Sequence, residues 1–298
     1  MTGFHSKAMA DAQNLLPSLQ WVTPAVVAPH LEQRIFYSKA AHTDISYHIY
    51  TPKEYKSGNI HRFPVIYWLH GTGGHALEAL PKVVAYFDQA MQKGEIPPSL
   101  IVFPNGMALS MWCDAKDGSV PMETVLIDEL IPHVDSSFRT VTGREGRLIE
   151  GFSMGGYGAA RLGFKYPELF SGLSMIAAGP LQLEFNAQTG PSNLADSRVK
   201  AMHDVYGDDP AYFLAQSPWI IAEKNAENVI REGLKIRIAV GDRDAMKGPN
   251  QTFSKHLSQL KIPHNYTLLP DITHNALDVF DALEEKNWDF YRTVKDAQ

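Results

Sequence analysis

Residues Gly151-Phe152-Ser153-Met154-Gly155-Gly156 follow the apolar stretch Leu148-Ile149 and spell G-x-S-x-G between a predicted strand and a predicted helix. A serine on so sharp a turn has its hydroxyl thrust out beyond the sheet, where it can attack a carbonyl carbon. The flanking glycines answer a steric demand, because side chains there would crowd the neighbouring strand and helix. The plainer reading is a glycine-rich turn with a capping serine. Partners elsewhere in the chain decide between the two.

A serine nucleophile needs a base to take its proton, and the base needs an anion to hold its tautomer. On a strand-to-helix turn of this kind the chain order is serine, acid, histidine. Residues Ile236-Arg237-Ile238-Ala239-Val240 read as a strand entering the Gly-Asp-rich loop Gly241-Asp242-Arg243-Asp244. The acid is expected just past that strand. Asp244 is preferred, since it lies beyond the turn at Gly241 and can reach back across the sheet edge; Asp242 is the alternative and also suits a turn former. The base is expected at His274, in Leu269-Pro270-Asp271-Ile272-Thr273-His274-Asn275, between the last strand and the last helix. His256 falls inside a helical pattern and His264 precedes a strand. An oxyanion formed in the attack needs two backbone N–H donors. One is the residue after the serine, Met154. The other is expected from His70-Gly71-Thr72-Gly73-Gly74, with Thr72 preferred, Gly71 as fallback and His70 as a buttress.

That loop supports a competing reading. Gly71-x-Gly73-x-x-Ala76 fits a dinucleotide fingerprint, which would make the chain an oxidoreductase. The carboxylate such a site needs belongs at the end of a second strand, and Asp88 falls within the following helix. Trp112, Phe152, Tyr157, Phe213 and Trp219 are candidates for a substrate pocket around a flat acyl group, although aromatic side chains are also ordinary core.

The elements that position these residues alternate. Strands are predicted at 33–37, 45–50, 65–69, 100–103, 147–150, 172–178, 235–240 and 266–269, and helices at 76–91, 122–134, 154–166, 250–260 and 276–294. Val125, Leu126, Leu130, Ile131 and Val134 share one face at i, i+1, i+5 spacing. Buried strands alternating with helices predict an α/β fold with a mostly parallel central sheet flanked by helices, after an antiparallel start. Residues 1–32 read as an N-terminal arm and 33–298 as one domain. Within it, 180–233 is an insertion that roofs the site as a lid.

The chain has 298 residues, 44% hydrophobic and 20% charged, with a net charge of −6. No basic run suggests nucleic acid or an anionic membrane as partner, and no apolar run approaches the roughly 20 residues of a membrane span. The expected partner is a small-molecule or saccharide ester. The single cysteine, Cys113, excludes an intrachain disulfide, and no metal motif or cofactor is expected. The first 20 residues lack a signal-peptide core. A cytoplasmic location is expected if the chain is complete and a secreted one if a signal was removed.

Four segments together resemble the esterase D type of α/β-hydrolase: Trp68-Leu69-His70-Gly71-Thr72-Gly73-Gly74, Asp128-Glu129-Leu130-Ile131-Pro132-His133-Val134-Asp135, Gly151-Phe152-Ser153-Met154-Gly155-Gly156-Tyr157-Gly158-Ala159 and Lys165-Tyr166-Pro167-Glu168-Leu169-Phe170. That family includes feruloyl esterases, S-formylglutathione hydrolases, acetyl-xylan-type esterases and mycolyltransferases. The resemblance spans roughly residues 33–295. It implies the α/β-hydrolase fold and cofactor-free carboxylester hydrolysis through an acyl-enzyme, with Ser153, Asp244 and His274 as the triad. The roofing segment and its aromatics point to feruloyl or cinnamoyl esters, or acetyl esters, of plant polysaccharide; a short-acyl or S-formylglutathione-type thioester hydrolase is the alternative, and a non-catalytic binding module is the alternative of another class. Many members follow the catalytic His-Asn with tryptophan, whereas Ala276-Leu277 follows here.

Overall fold

The computed structural model describes residues 20–56, 60–73 and 76–294. Residues 1–19 of the arm predicted over 1–32, and Gly74 of the glycine loop, lie outside the described residues. An eight-stranded sheet runs in the order β1-β2-β4-β3-β5-β6-β7-β8. Its strands are β1 (Leu31–Ser38), β2 (Thr43–Tyr50), β3 (Val65–Leu69), β4 (Leu100–Pro104), β5 (Arg147–Phe152), β6 (Gly172–Ile176), β7 (Lys235–Gly241) and β8 (Asn265–Leu269). β1 and β2, and β2 and β4, pair antiparallel. All later pairs are parallel. This is the α/β-hydrolase arrangement expected from the sequence.

Every residue of β3 and β4 is buried, because helices cover both faces. Alternation sorts their side chains. Val65, Tyr67, Leu69, Leu100 and Val102 join one core cluster; Ile66, Trp68, Ile101 and Phe103 join the other. The first layer includes α2, which runs in three pieces (Met122–Thr124, Val125–Leu130, Ile131–Ser137), and α3 (Met154–Lys165). The second includes α1 (Ala76–Gln92) and the C-terminal helices. The middle piece of α2 is π-helical, with the Ile131 N–H donating to the Leu126 carbonyl. Its i, i+5 bonding explains the predicted spacing, since it stacks Val125 over Leu130 and Leu126 over Ile131.

Three differences from the predicted elements have identifiable causes. β6 stops at Ile176 because Ala177 turns to φ 46°. The last helix divides at Glu284 (φ 50°, ψ −131°) into α8 (Ala276–Leu283) and α9 (Glu285–Tyr291). That break lets Asn287 Oδ1 accept from Arg237 at 2.7 Å while Tyr291 bonds Glu150 at 2.9 Å. The 180–233 segment carries α4 (Ala195–Asp204), α5 (Pro210–Gln216) and α6 (Pro218–Glu232). The last two start at capped prolines: Asp209 accepts from the N–H groups of Ala211 and Tyr212, and Ser217 accepts from Trp219. Such caps satisfy orphan donors, and proline tolerates the first helical turn. The Asp-Pro and Ser-Pro pairs were the missed signal for these helices.

α3 and α2 are tied by a buried ion pair. Arg161 on α3 donates to Glu123 Oε2 at 2.7 Å and to the Trp112 carbonyl at 2.7 Å. Burial alone would raise the Glu123 pKa; Arg161, Lys165 and Tyr166 outweigh it and bring the carboxyl down to about 2. A carboxyl with a lowered folded-state pKa stabilises the fold above its unfolded pKa, and that contribution is lost as pH falls through the folded value. Glu123→Gln should therefore cost about 3 kcal/mol at pH 7, with the difference shrinking below pH 4.5. Denaturant unfolding of both proteins at pH 7 and pH 3.5 checks this; an equal difference at both pH values would contradict it.

Candidate active site

Ser153 sits between β5 and α3 at φ 56° and ψ −118°. A non-glycine residue held there costs about 1–3 kcal/mol, so the surroundings must clamp it. They do so on both sides. The Ser153 N–H donates to the Ile176 carbonyl at 3.0 Å, and its carbonyl accepts from Tyr157 at 3.0 Å and Gly179 at 3.1 Å. α3 also lies hard against the sheet. A β-carbon on Gly155 would stand 1.9 Å from the Leu69 carbonyl oxygen, so only glycine fits. The N–H of Met154 begins α3, where no helical carbonyl can accept from it.

Asp244 follows β7 in a turn that closes on the strand, its N–H donating to the Gly241 carbonyl at 3.3 Å. Its side chain is wholly buried. One carboxylate oxygen accepts from the Met246 N–H at 2.7 Å; the other lies 2.8 Å from Nδ1 of His274. A buried carboxylate is tolerable only when so paired. Asp242 bonds elsewhere. Its side chain accepts from the Asp271 N–H at 2.8 Å, while its own N–H donates to the Leu269 carbonyl at 2.8 Å.

Those bonds staple the loop after β8 onto the loop after β7. Arg243 adds a 3.1 Å N–H bond to the Ile272 carbonyl and an ion pair with Asp271. The loops pass so closely that a β-carbon on Gly241 would lie 2.0 Å from the Ile272 oxygen. His274 is thereby delivered to Asp244, and Asn275 at once caps α8 by accepting from Leu277 at 2.9 Å. The His274 ring packs on Phe152, the residue before Ser153, with centroids 4.6 Å apart. With Nδ1 engaged by Asp244, Nε2 is the nitrogen left to work on a hydroxyl.

The glycine loop reaches the serine from the other side. A β-carbon at Gly71 would lie 3.1 Å from the Ser153 Cβ. Thr72, the next residue, is exposed in a bend. His70 holds the loop: Nδ1 lies 2.8 Å from the Gly71 carbonyl, and Nε2 accepts from the Gly106 N–H at 3.0 Å. One ring nitrogen donates and the other accepts, so the imidazole is neutral, and burial lowers its pKa further. Sequence reasoning had no signal for the role of residues 105–112, which support this loop through Gly106, through the Ala108 carbonyl (2.9 Å from the Gly73 nitrogen) and through the Trp112 indole, which donates to the His70 carbonyl at 3.2 Å.

The aromatic candidates correct the pocket expectation. Trp112 and Tyr157 are fully buried and Phe213 nearly so. The Tyr157 hydroxyl lies 3.1 Å from that of Tyr206, and Phe213 stacks on Phe185. Trp219 bonds the Leu181 carbonyl at 2.9 Å and packs on His256. Phe152 supports His274. Trp112, Tyr157 and Phe213 are therefore core and not pocket walls. Asp88 does not end a strand either; within α1 it accepts from the Tyr50 hydroxyl at 2.6 Å.

Comparisons with known proteins agree with the fold. An endo-1,4-beta-xylanase/feruloyl esterase of Xylanibacter ruminicola is 30% identical over 161 residues, covering 50% of this chain and 22% of that protein. An esterase of Mycobacterium tuberculosis is 28% identical over 158 residues, covering 52% of this chain and 33% of that protein. The chain thus spans a third or less of the length of these curated relatives. A solved ferulic acid esterase superposes with a TM-score of 0.71 at 20% identity, over 89% of this chain and 98% of its own. The family model described as "Putative esterase" matches residues 38–271, from the end of β1 to the loop after β8, and the chain therefore belongs to that esterase family.

Proposed function

We propose that this chain hydrolyses carboxylic esters through an acyl-enzyme on Ser153. The reading rests above all on the 2.8 Å contact between the buried Asp244 carboxylate and His274 Nδ1, carried to the residue beside the strained serine. In the first half-reaction His274 Nε2 takes the Ser153 proton as Oγ attacks the ester carbonyl carbon. The oxyanion is received by the N–H groups of Met154 and of the Gly71–Thr72 segment. His274 then gives its proton to the departing alkoxide, which leaves as an alcohol. Water, deprotonated in turn by His274, attacks the acyl carbon; the acid departs and Ser153 regains its proton. Asp244 keeps its charge throughout and balances the imidazolium.

The substrates proposed are feruloyl or cinnamoyl esters, or acetyl esters, of plant polysaccharide. Support for the aromatic acid comes from the feruloyl esterase among the relatives. Three of the five aromatic side chains first suspected of lining an acyl pocket, Trp112, Tyr157 and Phe213, are core, which favours short-acyl esters or thioesters as the second reading.

Ser153→Ala is expected to lower kcat on p-nitrophenyl acetate by at least ~10³-fold with an unchanged unfolding transition; activity near the wild-type value would remove the serine from the mechanism. Asp244→Asn is expected to lower kcat more than Asp242→Asn, since only the former disturbs the His274 tautomer. The reverse order would move the acid to Asp242. Methyl ferulate and p-nitrophenyl acetate assayed together separate the two substrate readings: turnover of the acetate alone discards the aromatic acid.

A further inference from the structure

A cavity of about 400 Å³ lies beside the glycine loop, with His70 and Gly73 on its margin, and the reaction as assigned leaves it unused. Trp68, Leu80, Phe103, Met107 and Leu109 are among the residues that line it. Gln20 and Thr23, from the segment that precedes β1, form part of its wall. That segment is bonded down along its length. The Ser46 N–H donates to the Trp21 carbonyl at 2.9 Å, the Thr23 N–H to Ser46 Oγ at 2.9 Å, and the Val26 N–H to His48 Nε2 at 3.1 Å.

Asn105 joins this wall to the site. Its amide donates to the carbonyls of Gln20 at 2.8 Å and Trp21 at 2.9 Å. The next residue, Gly106, donates to His70, the group that holds the glycine loop. One turn therefore carries the arm segment on one side and the loop next to Ser153 on the other.

Among the described residues the lining offers no unbalanced charge. Lys200 and Asp204 at the margin pair with each other. His48 accepts at Nε2, and burial lowers its pKa. An ionic ligand would lose hydration here without gaining a partner, whereas an apolar group would bury surface against the lining.

We propose, building on the ester-hydrolase reading, that this cavity is a specificity subsite for an uncharged aryl or alkyl group of the ester, and that the 20–26 segment, through Gln20 and Thr23, forms one of its walls. The family match begins at residue 38, so this wall lies outside what the chain shares with the family model. The group enters from either the acyl or the alcohol side of the ester, and two isomers separate these. Methyl 3-phenylpropanoate carries its ring on the acyl side and phenethyl acetate on the alcohol side; ethyl acetate, with no ring, is the reference.

Leu109→Trp fills the cavity from the loop, and Thr23→Trp fills it from the arm. Both are expected to lower kcat/KM for one ring-bearing isomer at least tenfold relative to ethyl acetate, and the isomer affected names the side. Ratios unchanged in both folded variants, or an equal fall on all three esters, would overturn the subsite. Calorimetric titration of Ser153→Ala with the same esters gives a second readout that needs no turnover. Ring-dependent binding that disappears in Ser153→Ala/Leu109→Trp is expected, and its absence in Ser153→Ala would also overturn the subsite. If the wild-type protein hydrolyses no ester, the esterase reading fails separately, and the titration still decides the cavity.

Discussion

A carboxylate with no exposed side-chain surface needs its hydrogen bonds supplied from within, and Asp244 obtains them from the Met246 N–H and His274. Much of the local architecture follows from that requirement. The loop after β8 must come within contact of the end of β7, so Gly241 lacks a side chain and Asp242, Arg243 and Asp271 spend their polar groups on stapling the two loops. Leaving such a buried carboxylate without its partner typically costs several kcal/mol. The loop geometry that presents the histidine is thus coupled to the stability of the fold.

The serine side is governed by close approach. Ser153 keeps a left-handed backbone only because β6 and the start of α3 hold its N–H and carbonyl. α3 can approach this closely because Gly155 meets β3 and Gly158 lies against Trp112. Trp112 in turn bonds the His70 carbonyl, while its own carbonyl accepts from Arg161. The Arg161–Glu123 pair, remote in sequence from the glycine loop, therefore supports the scaffold under it.

Much of this was legible in the sequence. All eight strands were: those buried on both faces read as apolar runs bounded by turn residues, and the first two read by alternation. The order of Ser153, Asp244 and His274 was legible because each sits at a strand's carboxyl end, where a turn signal follows. That Asp244 rather than Asp242 reaches His274 agrees with its place beyond the turn at Gly241. The aromatic side chains were not legible in the same way. Trp112 and Tyr157 are chemically suited to either a pocket or a core, and only tertiary packing decides. The break at Glu284 answers a long-range demand, the Arg237–Asn287 contact, that leaves no local trace. The support given by residues 105–112 was likewise hidden, since it runs through backbone atoms that any sequence possesses.

Activation of Ser153 by His274 stands or falls on one labelling experiment: incubation with a fluorophosphonate, followed by intact-mass measurement and peptide mapping. One adduct is expected, on Ser153, with labelling slowed by orders of magnitude in a folded His274→Ala variant. An adduct on another residue, or equal labelling rates with and without the His274 imidazole, would contradict the assignment.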